Sequence, residues 1–227
     1  MTWVKICGIT NVEDALTAVD AGADALGFVF YEKSPRYLDP AAAREIVSKL
    51  PKDVEKVGVF VKQSVQHVLE TVQAVRLTTM QLYGAESVAG FAAYLETHSE
   101  AGGVCPKLVA VVPGHKLSDG GFFISATLKK VLHGLLIDSG SAGQPGGTGK
   151  PFDWEQARGM ILGLGGEIGI RVIVGGGLTP NNVGEAMKLL RPWGVDVASG
   201  VEATPGKKDP AKVQAFVSAV REAEKSL

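Results

Sequence analysis

Cysteine and histidine are scarce in this chain of 227 residues, with two and four copies, and the scarcity closes several routes to function. Two cysteines, Cys7 and Cys105, cannot build a disulfide framework. Cys7 ends an apolar segment, whereas Cys105 with Pro106 precedes one, so the two are expected at opposite ends of a parallel barrel. Two reduced thiols fit a cytosolic protein best. His67, His98 and His133 fall in helical or connecting stretches and His115 follows a strand pattern. None stands at metal-ligand spacing from another histidine or a cysteine, so no metal site is expected. Charge of one sign is missing too: 23 Lys and Arg against 24 Asp and Glu give a net charge of -1. That balance offers no electrostatic case for a nucleic acid or an anionic membrane as partner. No apolar run approaches the ~20 residues that span a bilayer. The first residues also lack the basic segment and apolar core of a secretory signal. The expectation is a cytoplasmic, unprocessed protein.

What the chain does contain is alternation. Hydrophobic residues make up 45% and charged residues 21%, close to the averages of globular proteins. Short apolar segments read as strands at Trp3–Cys7, Asp24–Phe30, Lys56–Val61, Thr79–Leu82, Lys107–Val112, Gly134–Asp138, Arg171–Val174 and Asp196–Ser199. Amphipathic windows between them read as helices at Val12–Ala21, Ala41–Leu50, Ser64–Val75, Ser87–His98, around Ala126–Leu132, and at Trp154–Leu164, Asn181–Leu190 and Ala211–Lys225. Strands alternating with helical crossovers form a parallel sheet, and eight of them close a barrel. The fold class is therefore α/β, a (βα)8 TIM barrel over residues 1–227 with no credible linker, hence one domain. Thr179-Pro180 and Asp209-Pro210 read as N-caps followed by proline at the first helical position.

In such barrels the C-terminal ends of the strands carry the chemistry. Strand side chains alternate, so Trp3, Lys5 and Cys7 share one face while Val4 and Ile6 take the other. An ammonium beside a thiol favours thiolate, the reactive form, so Lys5 is expected to make Cys7 a usable base near neutrality. Asp138 closes the apolar segment Gly134-Leu135-Leu136-Ile137, where partial desolvation raises a carboxyl pKa and lets it keep a proton to donate. Its other readings are a helix cap or an ion-pair partner for Lys5. Gly175-Gly176-Gly177 and Ser199-Gly200 follow the seventh and eighth strands, the common place for a phosphate in these barrels, because glycine lets backbone amides approach an anion closely. The glycine-rich loop from Ser139 to Asp153 starts at the candidate acid and reads as a lid.

Lys5-Ile6-Cys7-Gly8-Ile9-Thr10, Ser34-Pro35-Arg36-Tyr37, Gln81-Leu82-Tyr83-Gly84, Leu136-Ile137-Asp138-Ser139, Gly146-Gly147-Thr148-Gly149 with Phe152-Asp153-Trp154, Gly175-Gly176-Gly177-Leu178 and Asp196-Val197-Ala198-Ser199-Gly200-Val201-Glu202 run in order along the whole chain. Together they closely resemble the phosphoribosylanthranilate isomerase family. The resemblance implies a cofactor-free barrel that performs an Amadori rearrangement in tryptophan biosynthesis. It converts N-(5-phosphoribosyl)anthranilate to 1-(2-carboxyphenylamino)-1-deoxyribulose 5-phosphate. Motif by motif it implies Cys7 as general base and Asp138 as general acid. It further implies Lys5, Arg36 and Tyr83 as substrate contacts, with Arg36 meeting the anthranilate carboxylate. Gly175, Gly176, Gly177, Ser199 and Gly200 would hold the phosphate. The partner is thus a small phosphorylated molecule, and the chain is expected as a monomer or homodimer. One position departs from the family's pattern, which commonly has histidine where this chain has Tyr83. Tyrosine hydrogen-bonds but does not titrate near neutrality. Two rivals stay open: a histidine-pathway sugar-phosphate isomerase, which would carry aspartate in place of Cys7, and a silent barrel that only binds a phosphometabolite.

Overall fold

Eight parallel strands hydrogen-bond in sequence order and close on themselves in the computed structural model, which describes residues 1–98, 106–118, 124–140, 151–166 and 168–227. They are β1 (Trp3–Cys7), β2 (Ala25–Val29), β3 (Glu55–Val61), β4 (Thr79–Tyr83), β5 (Lys107–Pro113), β6 (Leu132–Asp138), β7 (Val172–Val174) and β8 (Gly194–Val197). The helices are α1 (Val12–Asp20), α2 (Pro40–Ser48), α3 (Val65–Val75), α4 (Ala85–His98), α5 (His115–Ser118), α6 (Ala126–Val131), α7 (Trp154–Gly165), α8 (Val183–Leu190) and α9 (Pro210–Glu224). Cys105 and the greater part of the glycine-rich loop, residues 141–150, lie outside the described residues, and the lid expected there lies with them.

The two faces of each strand go to two different places. Val4 and Ile6 of β1, with Leu26 and Phe28 of β2 and Leu135 and Ile137 of β6, are buried against the helices in the main apolar core. Trp3 and Cys7 point the other way, into the barrel, as the alternation in the sequence requires. Trp3 joins Val109, Val111, Leu136, Ile173 and Trp193 in a floor near the N-terminal ends of the strands. There Trp3 stacks on Trp193 at 5.3 Å between ring centroids, and the Arg171 guanidinium lies 5.0 Å from the Trp193 ring centroid. Cys7, Val29 and Val59 pack together near the opposite end. The floor fills one end of the barrel with apolar contacts, and the pocket lies at the other.

Several expectations need correction. Thr179-Pro180 does not start a helix: α8 begins at Val183, and the two preceding asparagines lie in a turn. The Asn182 side chain accepts from the Thr179 amide at 2.7 Å and donates to the Gly177 carbonyl at 3.0 Å, so it braces the loop after β7. β8 ends at Val197, and Ser199–Val201 form a single 3-10 turn. His133 lies within β6, which starts two residues before the expected Gly134. The sequence pattern also gave no sign of the antiparallel ribbon β9 (Glu202–Thr204) and β10 (Lys207–Lys208), which is too short for alternation to register.

The last helix matches its sequence signal: Asp209 caps α9, accepting from the amides of Ala211 and Lys212, with Pro210 at the first helical position. Asp209→Ala is expected to destabilise the fold by about 1 kcal/mol, read as a lower urea midpoint with unchanged slope. An unaltered midpoint would show the cap to be without consequence.

Candidate active site

Lys5 and Asp196 occupy neighbouring inward positions on β1 and β8, directly paired in register. Their Nζ and Oδ1 atoms are 2.7 Å apart, and the side chains are only 1% and 9% exposed. Burial alone would lower the Lys5 ammonium, but the Asp196 charge and the nearby Cys7 hold it above its ordinary value. The ion-pair partner of Lys5 is therefore Asp196 and not Asp138. The structure also places Lys5 beneath the pocket rather than on its lining, so a direct substrate contact by Lys5 is not what the geometry offers.

Above this pair a pocket opens at the C-terminal ends of the strands. Cys7, Arg36, Tyr83, Asp138, Gly176, Gly177 and Ser199 all line it. Residues from β1, β4 and β6 and from the loops after β2, β7 and β8 therefore meet in one place. Gly175 and Gly200 do not line it; Gly175 continues the strand ladder, its amide donating to the Ile137 carbonyl at 2.8 Å.

Space for the thiol comes from Gly27, its register partner on β2. A Cβ at Gly27 would stand 2.6 Å from Cys7 Sγ and 3.0 Å from Lys5 Cε, so any side chain there would displace both. The sequence reading counted Ala25-Leu26-Gly27-Phe28-Val29-Phe30 among the family's motifs but gave Gly27 no role, although a glycine inside an otherwise apolar strand is a recognised mark of close approach. Gly176 does the same for the carboxyl: it has φ +73°, and a Cβ on it would lie 2.7 Å from Asp138 Oδ1.

Cys7 is 7% exposed, and burial pushes its thiol above the ordinary range. Lys5 and Lys208 pull in the other direction, and Asp196 adds to the rise. Burial of the sulfur thus opposes the effect expected of Lys5, whose own charge is partly cancelled by Asp196. Asp138, 6% exposed, is also raised by burial, as its place at the end of an apolar strand implied. Two donors oppose the rise. Tyr83 Oη donates to Oδ2 at 2.7 Å and the Gly140 amide to Oδ1 at 3.0 Å. Tyr83 itself is pushed well above its ordinary value by burial and by the Asp138 charge, so it stays a neutral donor.

Arg36 comes from the loop after β2, which is tied back by a bridge between Val29 and Tyr37 and by the Ser34 hydroxyl accepting from the Arg36 amide at 3.1 Å. Its Nε and Nη2 donate to Glu202 at 2.8 and 2.7 Å, a bidentate pair on the carboxylate. This contact was not foreseen: the guanidinium edge expected to meet a ligand is held by a residue of the ribbon. Nη1 has no acceptor among the described residues. Glu202 is buried, which would raise its carboxyl, but Arg36 and Lys208 hold it below the ordinary range.

Among the described residues no group of three or more His, Cys, Asp or Glu side chains is placed to hold a metal ion. No helix among them is long and apolar enough to cross a membrane.

A thiol, a carboxyl raised by burial and a guanidinium bound to a carboxylate stand together at the C-terminal mouth of an eight-stranded barrel, where enzymes of the TIM-barrel class carry their active sites. Comparison with known proteins narrows this. The family model described as N-(5'-phosphoribosyl)anthranilate (PRA) isomerase matches residues 4–219. A protein named N-(5'-phosphoribosyl)anthranilate isomerase from Geobacter sp. (strain M21) is 44% identical over 96% of this chain and 97% of its own length. The crystal structure of dimeric phosphoribosylanthranilate isomerase from Thermotoga maritima in monomer form is 34% identical, with TM-score 0.78 over 98% of this chain and all of that one. Another solved structure, a phosphoribosyl anthranilate isomerase in complex with reduced 1-(o-carboxyphenylamino)-1-deoxyribulose 5-phosphate, is 35% identical with TM-score 0.73 over 98% of this chain and all of that one. The chain belongs to the N-(5'-phosphoribosyl)anthranilate isomerase family.

Two measurements follow from the site's electrostatics. Lys5→Met strands the Asp196 charge inside the barrel and is expected to cost about 3–5 kcal/mol in denaturant unfolding; a loss below about 1 kcal/mol would show the pair to be dispensable. Tyr83→Phe removes a donor that favours the Asp138 carboxylate. The carboxyl is then expected to keep its proton to higher pH, followed by its infrared C=O band. A titration that stays put or moves down would refute that role for the tyrosine.

Proposed function

We propose that this chain, acting as one catalytic domain over residues 1–227, isomerises N-(5'-phosphoribosyl)anthranilate to 1-(2-carboxyphenylamino)-1-deoxyribulose 5-phosphate in tryptophan biosynthesis. The observation that carries the reading is the convergence of Cys7, Asp138 and Arg36 on one pocket in a chain of this family.

Each group has a chemical task. Protonated Asp138 gives its proton to the furanose ring oxygen as the ring opens and a Schiff base forms at C1. The resulting iminium acidifies the proton on C2. Cys7 as thiolate removes that proton, giving an enolamine that tautomerises to the ketone. The planar Arg36 guanidinium suits the anthranilate carboxylate. Gly176, Gly177 and Ser199 offer backbone around the phosphate; the amides of Gly176 and Gly177 have no acceptor among the described residues.

A raised thiol is compatible with this chemistry. A thiolate with a carboxylic acid carries the same total charge as a thiol with a carboxylate, so the two forms differ only in where one proton resides. The active form requires Cys7 to have lost its proton while Asp138 has kept one. With both groups raised, activity is expected to fall on the acidic side as Cys7 and Asp138 both become protonated, and on the alkaline side as both lose their protons.

The test is the decay of anthranilate-type fluorescence when the protein meets freshly generated phosphoribosylanthranilate. Cys7→Ser and Asp138→Asn are each expected to lower turnover by several powers of ten, on the order of 10³ or more, while still binding the product. Retained turnover in either variant would remove that residue from its role. No acceleration by the unaltered protein would overturn the reading as a whole.

A further inference from the structure

Lys208, on β10, drew no attention in the sequence, yet it is the buried centre of the ribbon. Its side chain has 0% exposure, and Nζ donates to the Cys7 carbonyl at 2.6 Å, the Ala198 carbonyl at 3.3 Å and Glu202 Oε1 at 3.1 Å. Its own amide donates to Asp14 Oδ2 on α1 at 2.7 Å, which pins the ribbon to the first helix. One ammonium thus joins the ends of β1 and β8 and the carboxylate that grips Arg36. Burial works against its charge, and Glu202 supports it. If the need were only to fill space, an apolar side chain would serve without that desolvation.

We propose that Lys208 is a positioning residue for Cys7, fixing the strand end that bears the thiol and setting a second ammonium, beside that of Lys5, in the field of the sulfur. The inference rests on the reading of Cys7 as base and extends it to a residue outside the pocket lining. The charged and titratable groups around the thiol are Lys5 on β1, Arg36 in the loop after β2, Tyr83 on β4, Asp138 on β6, Asp196 on β8 and Lys208 on β10. Asp196 already neutralises Lys5, and Glu202 holds Arg36 by two hydrogen bonds. Lys208 gives only one of its three hydrogen bonds to a carboxylate and the other two to neutral carbonyls. Its charge therefore acts on Cys7 in addition to the partly cancelled charge of Lys5.

Alkylation of Cys7 by iodoacetamide, followed against pH in a Cys105→Ser background, reads the thiolate directly and independently of turnover. Lys208→Met is expected to slow alkylation at neutral pH roughly threefold to tenfold and to move the rate profile to higher pH, as loss of one nearby cation requires. Lys207→Met, altering the exposed neighbour on the same ribbon, is expected to leave both unchanged. Asp14→Ala, which frees the Lys208 amide without touching the pocket, is expected to give a smaller slowing of the same sign. In turnover, Lys208→Met should lower kcat with KM held within about twofold, the split expected when an interaction is made in the transition state alone. Unchanged alkylation in folded Lys208→Met overturns the inference. Should that variant fail to fold, unchanged alkylation in Asp14→Ala overturns it. A raised KM with intact kcat also overturns it, since Lys208 would then act through Glu202 and Arg36. Slowed alkylation with undiminished turnover would instead remove Cys7 from the proposed chemistry while leaving the hold of Lys208 on the thiol in place.

Discussion

The arrangement of this protein depends on one constraint: ionisable groups stand inside a barrel whose floor is sealed by aromatic and aliphatic side chains. A charge buried there is costly unless another charge or a fixed donor answers it. Lys5 is answered by Asp196, Glu202 by Arg36 and Lys208, and Asp138 by Tyr83 and the Gly140 amide. Cys7 is raised by burial, and its deprotonated form is supported by the charges of Lys5 and Lys208 and by a hydrogen bond from Lys5.

This distribution of partners separates the carboxylates paired with cations from the carboxyl held by neutral donors. Asp196 and Glu202 lie next to ammonium or guanidinium groups, and the network they form holds Arg36 and the end of β1 in place. Asp138 is held by neutral donors instead, one of which, Tyr83, keeps its own proton at all physiological pH values. Burial raises Asp138 against its neutral donors, whereas Arg36 and Lys208 hold Glu202 below its ordinary range in spite of burial. Within one barrel the carboxyls thus stand in two different electrostatic environments.

Much of the barrel was legible because strand alternation and helix periodicity are strong local signals: Val4 and Ile6 face the helices and Lys5 and Cys7 face the interior, as their spacing demands. The positions of Cys7, Arg36, Tyr83 and Asp138 at strand ends and in the following loop could be read for the same reason. What was not legible depends on contacts distant in sequence. The partner of Lys5 is 191 residues away and the grip of Lys208 on the Cys7 carbonyl spans 201, so no window along the chain contains either pair. The ribbon has strands of three and two residues, too short for a periodic pattern. Thr179-Pro180 misled because a cap signal is only local, while the loop there is set by Asn182 reaching back to Gly177.

The closure of β1 onto β8 bears on how the site comes into being. Synthesis delivers Cys7 first, whereas Asp196, Glu202 and Lys208, which set its charge environment, all belong to the last 32 residues of the 227. Until those residues have left the ribosome, the pairing of β1 with β8 and the contacts of Asp196 and Lys208 around Cys7 cannot form. Contacts of such long sequence separation form late and slowly. The electrostatic character of Cys7 is therefore a property of the finished ring alone, acquired in the same event that removes its last open edge.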